Sequence, residues 1–134
     1  MTMAMPQLEA AWNARQGTAV ADAFTPDGVR IEYALPGARL EGRGAIAGHV
    51  QAYIDACPDC HLEVRGVAES QTGAVTLEWT FVGTHTRDLP GLPAAGEEIA
   101  LQGVSVCTMD GELIREERVY WDTATLLAGA GVLG

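Results

Sequence analysis

Asp122 closes the run Arg118-Val-Tyr120-Trp-Asp122. A carboxylate lodged among apolar rings has a raised pKa and can take a proton from carbon next to a carbonyl. A tyrosine hydroxyl such as that of Tyr120 can donate a hydrogen bond to the enolate that forms. Asp122 has a second reading. It precedes Thr-Ala-Thr-Leu-Leu, where a carboxylate caps the first free N–H groups of a helix and becomes a poor base. Both readings stand at this point. His85, at the end of a strand-like run, is the candidate proton shuttle at a pocket mouth, against a plain loop anchor. His49 flanks an apolar helical stripe and has packing as its default role.

Cys57-Pro-Asp-Cys60-His61 has the spacing of c-type haem attachment, and its cysteine pair that of redox or zinc chemistry. The pair falls at a helix C-terminus, where the dipole raises a thiol pKa. The other histidines are distant in sequence, so no metal cluster is evident. The expectation is no metal and no cofactor, with Cys57 in the core.

The elements that must position these groups centre on a hairpin from about Ile99 to Asp122. Asp110-Gly111 between two β-rich runs is a strong turn signal, because a type I′ turn needs positive φ at both central residues. A turn there sets Met109 opposite Glu112, Ser105 opposite Glu116, Gly103 opposite Arg118 and Leu101 opposite Tyr120. One face then carries Leu101, Gly103, Ser105, Arg118, Tyr120 and Asp122. The other carries Val104, Val106, Val119 and Trp121, apolar groups alternating with Gln102, Arg115 and Glu117. That face is the expected surface of a homodimer. Gly103 opposite Arg118 leaves room for a ligand, or for Arg118 paired with Glu116.

Ahead of the hairpin, Leu8, Ala11, Trp12 and Arg15 repeat at helical spacing, predicting a helix over 4–16 that Gly17 ends. A short helical piece follows over 18–24. Thr25-Pro-Asp-Gly28 reads as a turn, 29–34 as a strand, and 39–41 as a short return strand. Ile46, Val50, Tyr53, Ile54 and Cys57 form the stripe of a helix over 45–56. Strands follow over 61–70 and 74–86. Val75, Leu77, Trp79 and Phe81 share one face of the latter. The Pro- and Gly-rich stretch 87–97 is a loop, and 123–128 a helical tail. Helices first and antiparallel strands last read as α+β.

The chain has 134 residues, enough for a single domain. Its net charge of −10, with arginine as its only basic residue type apart from histidine, repels nucleic-acid phosphate and anionic membrane. No stretch reaches the length of a membrane span. No basic leader precedes Glu9, so the expected location is the cytoplasm.

Several pieces of the chain, in order, resemble the SnoaL-like polyketide cyclases, a branch of the NTF2-like superfamily that also holds ketosteroid isomerase and limonene epoxide hydrolase. They include Trp12-Asn13, Phe24-Thr-Pro-Asp-Gly-Val29, Gly42-Arg-Gly-Ala-Ile46 and Glu78-Trp-Thr-Phe-Val-Gly-Thr-His85. Leu89-Pro-Gly-Leu-Pro, Gly103-Val-Ser-Val, Asp110-Gly-Glu-Leu-Ile114 and Glu117-Arg-Val-Tyr-Trp-Asp-Thr-Ala-Thr-Leu-Leu127 complete the set. The resemblance covers residues 1–134 as one domain. It implies an NTF2-like cone, a curved, mainly antiparallel sheet closed by N-terminal helices around an apolar pocket, often dimeric across the outer face of the sheet. Family cyclases work without cofactor. They use a carboxylate at the end of the last strand, which matches Asp122, and polar groups on the neighbouring strand, which here reads Val104-Ser105-Val106.

The resulting expectation is acid–base chemistry of cyclase or isomerase type on a hydrophobic carbonyl compound. Asp122, Tyr120 and His85 are the catalytic candidates. Trp12, Asn13, Tyr53, Trp79, Phe81, Leu101 and Arg118 are the substrate-binding ones. The alternatives are a non-catalytic ligand-binding or dimerisation domain on the same fold, and epoxide hydrolysis.

Overall fold

The computed structural model describes residues 4–34, 37–88 and 96–124. Along the chain come α1 (Ala4–Asn13), α2 (Gly17–Ala21), β1 (Phe24–Glu32), β2 (Ala38–Glu41), α3 (Arg43–Ala56), β3 (His61–Glu69), β4 (Val75–Thr84), β5 (Glu98–Asp110) and β6 (Leu113–Trp121). The six strands form one sheet in the order β2-β1-β6-β5-β4-β3. Every neighbouring pair is antiparallel except β1 with β6, which run parallel. The fold is the expected α+β type, a curved, unclosed sheet with helices packed on it. No helix among the described residues is long and apolar enough to cross a membrane.

The core lies between the helices and one face of the sheet. Leu8 and Trp12 from α1, Val20 from α2, and Ile46, Val50 and Ile54 from α3 bury against Phe24, Leu77, Phe81, Leu101 and Ile114. Trp12 meets Phe81 edge-on, with ring centroids 6.0 Å apart. Helix α1 is also hooked to the outer edge of β3. Asn13 donates to the Leu62 carbonyl at 2.9 Å and accepts from the Leu62 N–H at 2.7 Å. Glu9 accepts from the Val64 N–H at 2.6 Å, and Arg15 donates to the Cys60 carbonyl at 3.1 Å. These side chains occupy backbone groups that an edge strand would otherwise offer to another chain.

Helix α1 ends three residues before the expected boundary. The left-handed residue after it is Arg15 (φ 60), not Gly17. Gly17 instead opens α2 against α3, donating to Gln51 at 2.8 Å. A Cβ there would sit 2.3 Å from the Ala47 carbonyl oxygen. Phe24 belongs to β1 rather than to a helix. Thr25-Pro-Asp-Gly28 is an irregularity inside β1, where pairing to β6 jumps from Phe24↔Ile114 to Val29↔Glu116. Of the helical tail expected over 123–128, Thr123 and Ala124 are helical and the rest lies outside the described residues.

The hairpin departs from its expected register. Asp110 pairs with Leu113, so the two-residue loop is Gly111-Glu112. Gly111 has φ +59 and Glu112 has no positive φ, the pattern of a type II′ turn with Gly first. A bulge follows. Met109 pairs with Ile114 but Thr108 with Glu116, leaving Arg115 as the extra residue. Together these moves shift the pairing by three residues. Ser105 now faces Val119, and Gly103 faces Trp121. An odd shift turns every side chain of one strand to the other side of the sheet.

Candidate active site

The inner face of the sheet carries a lattice of side chains fixed by this register. One row across the strands reads Arg30, Glu117, Cys107 and Val75; the next reads Glu32, Val119, Ser105 and Leu77. Trp121, Gly103 and Trp79 follow, then Leu101 and Phe81. Between this face and helices α1 and α3 lies a cavity with about 730 Å³ of empty space, its open mouth included. Leu8, Leu62, Leu77, Phe81, Ile99 and Leu101 make most of its wall apolar. Arg30, Glu32, Tyr53, Ser105 and Glu117 give it a polar end, with Trp12, Trp79 and Trp121 beside them.

Glu32 is the hub of that end. Its carboxylate accepts hydrogen bonds from His49 Nε2 at 2.9 Å, from Trp121 Nε1 at 2.8 Å and from the Tyr53 hydroxyl. Arg30 Nη2 lies 3.8 Å away. Burial by itself pushes the Glu32 carboxyl up. The His49 contact, the Arg30 charge and the Tyr53 and Trp121 hydrogen bonds outweigh it, and the group is held below the ordinary carboxylate range. Burial and the neighbouring Glu32 charge push the Tyr53 hydroxyl well up, so it stays a donor.

Arg30 bridges to the second carboxylate. Its Nη1 donates to Glu117 Oε1 at 2.5 Å, with both side chains buried. The guanidinium carbon sits 5.7 Å from the centroid of the Trp12 ring. Burial works against the Arg30 charge, but Glu117 and Glu32 more than restore it. The second oxygen of Glu117 has no protein partner among the described residues. Two strands make the opposite side of the site. Trp79 Nε1 donates to Ser105 Oγ at 3.0 Å, and the serine proton has no acceptor among the described residues.

The expected site residues divide. Trp12, Tyr53, Trp79, Phe81 and Leu101 line the cavity. Asn13 is taken up by both polar groups of Leu62. The shifted register carries Tyr120, Arg118 and Asp122 away from it. Tyr120 is 45% exposed and stacks on Tyr33 with centroids 5.0 Å apart. Arg118 lies 3.9 Å from Glu116 on the outer face. Asp122 is exposed just beyond β6, its N–H bonded to the Gln102 carbonyl at 3.0 Å. The same shift brings Val119 and Trp121, expected on the dimer face, into the interior. His85 is buried outside the cavity lining, with Nε2 lacking a hydrogen-bond partner among the described residues. Cys57, Cys60 and Cys107 are free and buried. Burial, then Cys60 and Asp59, push the Cys57 thiol up to about 12.

The residues that sequence reading passed over are Arg30, Glu32 and Glu117. One signal was present: Arg30-x-Glu32 puts two charges on one face of a strand bounded by apolar groups.

The model of one family, the SnoaL-like polyketide cyclases, matches residues 2–129. The chain belongs to that family. No curated protein sequence matches this SnoaL-like chain. Solved structures do. A protein of ketosteroid isomerase-like fold from Catenulispora acidiphila, solved with trimethylamine, superposes with a TM-score of 0.80 at 22% identity, over 97% of this chain and 93% of that one. IdmH, a proposed polyketide cyclase from Streptomyces antibioticus, gives 0.77 at 21% identity, over 96% of each chain. AclR, a proposed hydroxylase from Streptomyces galilaeus, gives 0.80 at 20% identity, over 98% of this chain and 84% of that one. Identities this low establish the shared NTF2-like fold, which hosts many chemistries.

Proposed function

We propose that this SnoaL-like protein is a cofactor-free acid–base enzyme acting on a hydrophobic carbonyl compound, with Glu117 as the base. The observation that carries the reading is the state of that side chain: a buried carboxylate in the lining of a largely apolar cavity, its one hydrogen bond among the described residues made by Oε1 to Arg30, which leaves the other oxygen for a ligand. Arg30 fixes the carboxylate's orientation. Ser105 stands diagonally across the β5–β6 pair from Glu117 with its own proton unclaimed. Neighbours on that diagonal are within reach of one small functional group.

The open oxygen of Glu117 takes a proton from carbon α, and the C–H electron pair moves into the C–C bond. The carbonyl π pair moves to oxygen, which accepts the Ser105 O–H as an enolate. Where a β,γ double bond extends the enolate to a dienolate, its γ-carbon takes the proton back from Glu117, an isomerisation; otherwise the α-carbon attacks a second carbonyl and closes a ring. In the second case the new alkoxide receives the proton from Glu117.

Epoxide opening is the weaker reading, although Arg30 does lie between two carboxylates. That reaction needs a carboxylic acid to protonate the leaving oxygen, and Glu32 is held ionised by His49, Arg30, Tyr53 and Trp121. The test is deuterium wash-in. Apolar ketones and β-keto esters are incubated with protein in D2O and followed by proton NMR. Loss of the α-proton signal faster than in buffer supports the enzyme. Binding without exchange makes the protein a ligand-binding domain.

A further inference from the structure

Gly103 is the residue of β5 between Leu101 and Ser105 on the cavity face, and it is not in a left-handed conformation. Its role is space. A Cβ added there would meet Cη2 and Cζ2 of Trp79 at 2.3 Å. The indole of Trp79, Gly103's partner on β4, therefore occupies the volume a side chain at 103 would fill. From there Nε1 reaches Ser105 Oγ at 3.0 Å. A serine hydroxyl has one proton and two lone pairs. With one lone pair engaged by the indole N–H, the O–H bond must point elsewhere, and Ser105 is buried in the cavity lining with no acceptor for its proton among the described residues.

We infer that Trp79 is a positioning residue: its indole N–H turns the Ser105 hydroxyl proton toward the carbonyl oxygen of a ligand in the cavity, and Gly103 is what admits it. This rests on the assignment of Ser105 as the donor to that oxygen. Trp79 does not touch the reacting atoms in this role. Its ring also packs in the wall, so the inference concerns the N–H and not the ring.

The test separates the two with Trp79→Phe, which keeps an aromatic ring and removes the donor. The probes are 2-tetralone and tetralin, a ketone and its hydrocarbon counterpart, titrated calorimetrically into the full chain. Wild type is expected to bind the ketone about five- to tenfold more tightly, the value of one buried hydrogen bond. Trp79→Phe and Ser105→Ala should each remove that preference, and the double variant should lose no more than either alone. The readout is the ketone-to-tetralin ratio within each variant, so a change of wall packing that moves both affinities together leaves it unaltered. A wild type without ketone preference, or a Trp79→Phe that keeps it, overturns the inference.

A ligand-free measurement guards against a disturbed variant. In the indole N–H region of a nitrogen-15 spectrum, the signal that Trp79→Phe deletes should move in Ser105→Ala and exchange faster with solvent. An unmoved signal overturns the inference. A Trp79-dependent ketone preference in a protein that exchanges no deuterium supports the inference and refutes the catalytic reading.

Discussion

Arg30 and Glu117 face one another across the parallel junction of β1 and β6, joined Nη1 to Oε1 at 2.5 Å, both side chains buried and both in the cavity lining. The pair sits where the chain's ends of the sheet meet, 87 residues apart in sequence. Breaking such a pair by removing one partner leaves a charge buried without compensation.

The first prediction concerns Glu32. Glu32→Ala removes the acceptor of three hydrogen bonds and one of two carboxylates beside Arg30. It should cost about 3–5 kcal/mol in urea unfolding, the usual loss when one member of a buried ion pair is deleted. The pH dependence has a definite sign. The folded-state pKa of Glu32 is depressed, so its contribution is fully present above the unfolded carboxyl pKa and is lost as pH falls through the folded value. Wild type should lose stability on acidification below about pH 4, where an unperturbed Glu titrates. Glu32→Gln should show a shallower acid limb. An unchanged limb would contradict the hub role.

Gly103→Ala tests the packing of Trp79. The added methyl carbon falls 2.3 Å from the indole, so the ring must move. Overpacking of this kind costs about 1–3 kcal/mol. Differential scanning calorimetry should show a lowered Tm, and the Trp79 indole N–H signal should shift. A neutral substitution would mean the ring has an alternative seat.

The thiols should be inert. Burial, then Cys60 and Asp59, push the Cys57 thiol up to about 12, and burial also pushes the Cys60 and Cys107 thiols up. Thiolate is the reactive form. Ellman's reagent at pH 8 should label native protein slowly and all three cysteines at once in guanidinium. Fast labelling of native Cys57 would contradict its placement in the cavity wall.

The outer face of the sheet differs from the expected one in a way that redirects the dimer proposal. Val104 and Val106 lie there with Tyr120 and Arg118, their partners in the true register. We propose a homodimer centred on the stacked, exposed Tyr33 and Tyr120. Sedimentation should show a dimer at micromolar concentration that Tyr120→Glu converts to a monomer. A wild-type monomer would refute it.

Much of the architecture was legible because it rests on local patterns. The Ile46-Val50-Ile54 stripe marked α3, and the alternation Val75-Leu77-Trp79-Phe81 marked the cavity face of β4. The site itself was not, because it depends on parity. Asp110-Gly111 and Gly111-Glu112 are both plausible loops by composition. Moving the loop by one residue shifts the pairing by two and keeps Ile114 on the core face with either turn; the Arg115 bulge adds one more and reverses the faces of every residue after it. Glu116 and Glu117 are therefore inside or outside according to that single bulge. Glu116 and Glu117 are adjacent in sequence, and only the second is buried. The Arg30–Glu117 pairing is also a parallel contact between first and last strands, which no short motif encodes.

The central claim is that the open oxygen of Glu117 moves the proton. The direct measurement is the rate of α-deuterium incorporation into a bound ketone or β-keto ester by wild type and by Glu117→Gln, with ligand affinity measured on both. Glutamine keeps the shape and still accepts from Arg30 but cannot take the proton. The account predicts unchanged affinity and an exchange rate lowered by about 10²–10⁴-fold, the usual worth of a positioned base. A Glu117→Gln variant that exchanges deuterium at the wild-type rate would contradict it.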